Sequence, residues 1–231
     1  MKSGAVAPLA IALSVTVNIM LLISFLSELI RAFPGLELRF YRGTNSEVAE
    51  LLKKGEVEVG VAGPIDGTWE RLDSWPLFTE PYRLVVADSH RLASAPGVVS
   101  PCELASERLL CRSNCENLKE ILQFLDERCA RPKTKHDVST EQDLTTLLES
   151  NFGIGIAPRS SVLSMKSKQL DLDGLMIERT VYVYGVAGRQ RSTAASTLIK
   201  MLRAADWRVV EEQLFLASGG APAAAVNSPA T

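Results

Sequence analysis

Acid–base chemistry is thinly provided for in this chain, which has two histidines in 231 residues. No GxSxG elbow, no P-loop and no HExxH occurs, so none of the common catalytic motifs supplies a nucleophile, a phosphate cradle or a metal-bound water. His90 in a connecting stretch and His136 in a strand read as surface or structural residues, and an enzyme is not expected. An excess of positive charge is missing as well. Lys and Arg number 25 against 27 Asp and Glu, giving a net charge of -2 and a pI near 5.8. The basic residues are dispersed rather than striped, so the chain by itself offers no footprint for nucleic acid. Cysteine is scarce too. Cys102, Cys111, Cys115 and Cys129 are too few and too clustered for a secreted disulfide framework, and reduced thiols in a cytoplasmic protein are the expectation. With His90 and His136 they form no compact ligand spacing, so neither metal nor other cofactor is expected. Trp69, Trp75 and the methionines read as packing rather than as a cofactor box.

Formal charge is also absent from Ser3 to Ser27, which raises the alternative of a membrane helix or an export signal. A spanning helix needs roughly 20 predominantly apolar residues. Here Pro8 interrupts such a run, and Ser14, Thr16 and Asn18 mark a break between a strand and a helix start. As a signal peptide the stretch has only Lys2 as its positive start, and cleavage near Ala10 or Ala12 would remove the first strand of a regular pattern.

That pattern is an alternation of hydrophobic periods. PLAIALS is an apolar run of strand length, as expected for a strand covered by helices on both faces. In VTVNIMLLISFLSELIRAF, Ser24, Ser27, Glu28 and Arg31 form a polar stripe opposite Ile19, Leu22, Ile23, Leu26, Leu29, Ile30 and Phe33, until Pro34 and Gly35 stop the helix. LELRFYRG alternates as a strand, SEVAELLKKG is an amphipathic helix closed by Gly55, and EVEVGVAG alternates again. The order is β-α-β-α-β.

Further on, Leu72–Phe78 and Tyr82–Ala87 read as two strands separated at Glu80-Pro81, and Ser100 to Glu103 as a capping box. Leu109–Cys111 is a strand, and Ser113 or Asn114 caps a helix running to about Cys129. Lys135–Val138 is a strand, and a second capping box at Ser139 to Gln142 opens a helix that ends near Asn151 and Gly153. GIGIAP is a strand, Ser160 to about Lys166 a short helix, Thr180–Val186 a strand, and Ser192 to about Leu216 one long helix. The tail, residues 217–231, is rich in Ala, Pro and Gly, and disorder is expected there.

The fold class is α/β, with two Rossmann-like lobes joined by two crossover strands. Composition shifts at Asp88–Pro101 and Gly185–Gln190 place lobe I at residues 1–87 and 187–216 and lobe II at 88–186. The cleft between them is the default ligand site.

The segments LAIALS, FLSELIRAFPGLELRFYRG, AELLKKGEVEVGVAGP, PLFTEPYRLVVADSHRLA and LTTLLESNFGIGIAPRS, in this order and spacing, resemble the effector-binding domain of LysR-type transcriptional regulators. The resemblance covers roughly Pro8 to Trp207 and implies the fold of type 2 periplasmic binding proteins. It implies a small-molecule effector, a cytoplasmic location, and transcriptional control by a parent molecule whose winged helix-turn-helix and linker helix do not precede Pro8. The chain is expected to be an excised sensor or a free-standing relative, touching DNA only through that missing domain. Similar regulators pair side by side through the first helix and second strand, which implies a homodimer through Phe25 to Tyr41. An exported or tethered solute-binding protein of the same fold is the alternative.

Candidate ligand groups follow from where strands meet helices. Ser14, Val15 and Thr16 end the first strand, where hydroxyls and helix N-terminal amides suit an anion, although ordinary capping explains them equally. Gly63 and Pro64 form a second wall, or a simple turn. In lobe II, Arg112, Ser113 and Asn114, and then Ser139 and Thr140, repeat the arrangement and suit a small organic anion such as a carboxylate. Arg112 reads equally well as solvated surface. Cys111 and Cys115 raise thiol redox sensing, since a helix N-terminus lowers a thiol pKa. The oxidant-sensing members use a different cysteine arrangement, and buried reduced thiols are the plainer reading.

Overall fold

The computed structural model describes residues 7–217 except 66–68, 129 and 162–163. Cys129, the tail from residue 218 and part of the Ser160–Lys166 segment therefore lie outside the described residues.

The first sheet is built from β1 (Leu9–Ser14), β2 (Leu38–Gly43), β3 (Val59–Ala62), β9 (Glu178–Val186) and the first part of β4 (Leu72–Ala87), in the order β2-β1-β3-β9-β4. β1 runs parallel to both β2 and β3, whereas β9 is antiparallel to β3 and β4. The second sheet continues from the last part of β4 through β7 (Ile154–Pro158), β5 (Arg108–Arg112) and β6 (Thr134–Val138), with β8 (Ser167–Leu170) also on β4. β5 is parallel to β6 and β7. The two α/β lobes, whose sheets share the long strand β4, form the type 2 periplasmic-binding-protein-like architecture.

Helices cover both faces of each sheet. In lobe I, Leu9, Ile11 and Leu13 of β1 pack with α1 (Ile23–Ala32) and α5 (Thr193–Ala204), while Ala12 faces Val48 and Leu52 of α2 (Asn45–Lys54). The uncharged run at the start of the chain is thus a two-faced central strand, and among the described residues no helix is long and apolar enough to cross a membrane. In lobe II, Leu109 and Cys111 pack with α3 (Leu118–Glu127), and Leu110 with Leu144 and Leu148 of α4 (Glu141–Glu149). The helix ends follow their local chemistry. Thr44 and Glu47 form a capping box on α2, Gly55 closes that helix at φ 77°, and Ser192 caps α5.

Several expected boundaries shift. β4 runs unbroken through Glu80-Pro81, with its irregularity between Pro76 and Phe78, and it changes partner between Pro81 and Tyr82. Proline is tolerated where a strand leaves one sheet for another. That exchange lies ahead of the Asp88–Pro101 stretch, and β9 pairs in the first sheet along its whole length. The described residues between Ser160 and Lys166 form turns rather than a helix, and β8 follows. The last helix is two: Ala205 adopts extended backbone, ending α5, and α6 (Trp207–Ala217) begins beyond it. Trp207 holds that corner, its ring 4.9 Å from Phe78 and 5.5 Å from Phe25, with Nε1 donating to the Leu202 carbonyl at 3.0 Å.

Candidate functional site in the interlobe cleft

β1 ends at Ser14 with both neighbours parallel, so the chain must leave the sheet there and Thr16 is delivered to the edge facing lobe II. Ser14 and Thr16 are fully buried, and their hydroxyls lie 3.1 Å apart. Asn18, not Ser14 or Thr16, caps the following turn, accepting from the Met20 amide at 3.0 Å. Ordinary capping therefore does not account for Thr16. Its hydroxyl donates to the Glu116 carboxylate of lobe II, 3.0 Å to Oε2, and accepts from Arg179 Nη1 at 2.6 Å.

Arg179, at the start of β9, is 3% exposed and sits at the centre of the cleft. Nε donates to Glu80 Oε1 at 2.9 Å, with Nη2 ion-paired to the same oxygen at 2.7 Å, Nη1 donates to Glu116 Oε1 at 2.8 Å, and Nη2 donates to the Thr16 carbonyl at 2.8 Å. Glu80 is in turn held by the Ser160 amide and hydroxyl at 2.6 and 2.9 Å. A charge taken so far from water survives only when paired and hydrogen-bonded. Burial alone opposes the charge of Arg179, and the Glu80 and Glu116 carboxylates more than offset it.

Arg112 is the second lobe-to-lobe cation and is buried, not solvated surface. Its Nη1 donates to the Val15 carbonyl at 3.1 Å, and Nη2 lies 2.5 Å from Glu141 Oε2. Burial pushes the Glu141 carboxyl up against the pull of Arg112 and Arg42. Arg42 ties down the end of β1 through the Ser14 and Val17 carbonyls at 2.9 and 2.5 Å. Asn18 Nδ2 adds another bridge to the Ser160 carbonyl at 3.1 Å. The lobes are therefore in direct polar contact.

Other sequence candidates stand further out. Gly63 lines the wall beside Glu116: a Cβ there would lie 3.1 Å from Glu116 Oε1. The exposed Pro64 gives its carbonyl to Asn45 Nδ2 at 3.0 Å. Ser113 and Asn114 are exposed and do not cap a helix. α3 starts only at Leu118, with Asn117 before it, after a turn closed by the Cys115 amide on the Arg112 carbonyl, so the expected amide array is absent at that point. Ser139 and Thr140 are exposed, and Thr140 rather than Ser139 caps α4 by accepting from the Asp143 amide at 3.1 Å. Sequence reasoning missed Glu80, Glu116, Ser160 and Arg179. The available signal was an acid, Glu80 in β4, and an arginine, Arg179 in β9, each within a strand, which a buried pair would explain.

Cys111 and Cys115 are both free thiols. Burial pushes Cys111 up to about 11, and burial likewise raises Cys115 against a hydrogen bond from Tyr82, whose hydroxyl lies 3.4 Å from Sγ. Both are protonated at neutral pH in this conformation, and Cys115 stands ahead of α3 rather than on its N-terminal amides. Among the described residues no cluster of His, Cys, Asp and Glu could hold a metal.

A family model described as the LysR substrate binding domain matches residues 2–207. The chain belongs to that family. The hydrogen peroxide-inducible genes activator of Dickeya chrysanthemi is 26% identical over 156 residues, covering 67% of this chain and 50% of that protein. The chain thus spans about half the length of the curated relative it matches. Among solved structures, the Synechocystis PCC6803 CcmR regulatory domain in complex with 2-PG superposes with a TM-score of 0.69 at 17% identity, covering 85% of this chain and 96% of that one. The effector binding domain of QuiR in complex with shikimate gives 0.67 at 16% identity, covering 85% and 95%. At these identities the two structures establish the shared fold, and each of those domains holds a small molecule, 2-PG in one and shikimate in the other.

Proposed function

We propose that this chain is the sensing part of a LysR-type transcriptional regulator, a binding module rather than an enzyme, which takes a small organic carboxylate between its lobes. The observation that carries this reading is the convergence of the buried Thr16 hydroxyl and the Arg179 guanidinium on one carboxylate in the cleft. A hydroxyl and a guanidinium sheltered from water are the groups that recognise a carboxylate strongly, because each bond is charge-assisted. Ser14, Val15, Thr16, Gly63 and Arg112 form the inner wall in this reading. Pro64, Ser113, Asn114, Ser139 and Thr140 stand at the rim, where the rest of the effector is read. Effector binding shifts the balance between lobe arrangements, and that shift biases a DNA-binding domain in the cytoplasm.

The signal needs a second copy to act on. Ile23 and Ile30 project from α1 at 45% and 47% exposure, and Phe40 and Tyr41 lie exposed on the edge strand β2. An apolar surface beside an unpaired strand edge is a pairing surface, and we assign it to a homodimer. Phe25 packs instead against Trp207.

Thermal unfolding against a panel of aliphatic and aromatic carboxylates tests the effector reading. A specific ligand at 100 times its dissociation constant stabilises by about 2.7 kcal/mol, roughly 5 to 10 °C for a domain of this size. The expected result is a rise for one chemical class that is lost in Thr16→Ala. A flat panel from folded protein contradicts the carboxylate.

A further inference from the structure

The anion position of the cleft already holds a carboxylate, and it belongs to the chain. Glu116 leaves lobe II just after β5, reaches across the cleft, and places its two oxygens on Thr16 and Arg179 of the opposite wall. The Arg179 charge is matched without it, because Glu80 forms a fully buried pair with the guanidinium. All three guanidinium nitrogens of Arg179 are engaged: Nε donates to Glu80, Nη2 to the Thr16 carbonyl with Glu80 Oε1 also 2.7 Å away, and Nη1 to Thr16 Oγ1 and Glu116. While Glu116 stays, both Nη1 and the Thr16 hydroxyl are taken, and an incoming carboxylate must compete with it for them. Glu116 is also the least confined member, its side chain 15% exposed against 1% for Arg179 and 0% for Glu80. Gly63 is part of the same arrangement, since a Cβ there would crowd Glu116 Oε1.

We propose that Glu116 is a built-in occupant of the cleft's carboxylate subsite, so that a small organic acid gains Thr16 and Arg179 only by displacing it. This rests on the carboxylate reading of the cleft and deepens it. Glu116 sets the threshold concentration of effector, and its displacement undoes a bond between the lobes, which turns occupancy into a change of lobe contact. It also sets charge specificity. A neutral ligand cannot replace a carboxylate on the guanidinium, whereas a carboxylate substitutes for Glu116 with no net change in local charge.

Glu116→Ala deletes a fragment equivalent to acetate, and sodium acetate is therefore the probe. Unfolding midpoints are recorded for the wild-type chain, Glu116→Ala and Glu116→Ala with Thr16→Val, in acetate, in acetamide and in sodium chloride at matched ionic strength. The expected result is a saturable rise with acetate in Glu116→Ala, beyond that in the wild type, absent with acetamide and lost when Thr16 is also changed. Equal acetate responses in the wild type and a folded Glu116→Ala overturn the assignment. Should Glu116→Ala not fold, Glu116→Gln carries the test: the neutral amide competes less well for Arg179, so an acetate response above wild type supports the assignment and a wild-type response overturns it. Rescue by acetate together with a flat effector panel leaves Glu116 as the occupant and removes the effector reading. An effector whose affinity is the same with and without Glu116 removes this assignment alone.

Discussion

Arg179 concentrates the electrostatics of the molecule at one atom group. Removing one partner of a buried pair leaves the other charge stranded, at a cost of about 3 to 5 kcal/mol. Arg179→Met is expected to lose stability on that scale by denaturant titration, and adding Glu80→Gln to it should recover part of the loss, because the stranded carboxylate is then neutral. A loss that simply adds in the double variant would mean that the two groups do not act as a pair. At this scale the sequence was only half legible. Ser14, Thr16 and Arg112 could be chosen because they end strands, where such folds place their ligands. Arg179 and Glu116 could not, since periodicity tells which face a residue occupies but not which distant charge it meets, and the pair spans 63 positions of chain. Arg112 shows the same limit from the other side: its alternative as a solvated residue was resolved only by the Val15 carbonyl of the opposite lobe.

Elements whose ends carry their own chemistry were the most readable. The Ser100 to Glu103 capping box, Gly55 at the end of α2 and Ser192 at the start of α5 lie where local rules put them, although the Thr44 to Glu47 box of α2 was not singled out. Thr44→Ala should cost about 1 kcal/mol of stability, measured by denaturant unfolding. Elements set by tertiary contacts were not readable. β4 continues through Pro81 because its partner changes there, and α5 ends at Ala205 although the apolar pattern runs on, with Trp207 packing against Phe78 beyond the break. α6 carries a titratable group as well. Burial first, and the Glu80 charge second, push the Glu211 carboxyl up to about 7 against the pull of Arg159. The folded chain therefore keeps this proton up to about pH 7, whereas the unfolded chain releases it near 4.5. Stability from this group is complete below 4.5 and falls as pH rises through 7. Glu211→Gln should accordingly gain in unfolding midpoint relative to wild type on going from pH 5 to pH 8. A constant difference across that range would remove Glu211 as the cause.

For the whole molecule, the two-lobed plan was legible because the order of hydrophobic periods encodes βαβ units, and the family resemblance supplied the joining of two such units, which here share the long strand β4. Composition changes at Asp88, and β4 changes its pairing partner at Tyr82. The exposed apolar residues of α1 and β2 predict association. Ile30→Glu should shift the chain from dimer to monomer in analytical ultracentrifugation without changing its thermal unfolding in dilute solution beyond the loss of association. The central claim, that the interlobe cleft receives a carboxylate through Thr16, is tested most directly by a crystal structure of the chain with the carboxylate that stabilises it. The account predicts that carboxylate between the lobes, within hydrogen-bonding distance of Thr16 Oγ1 and Arg179 Nη1, with Glu116 turned away. A carboxylate bound elsewhere, with Glu116 still on Thr16 and Arg179, would contradict it.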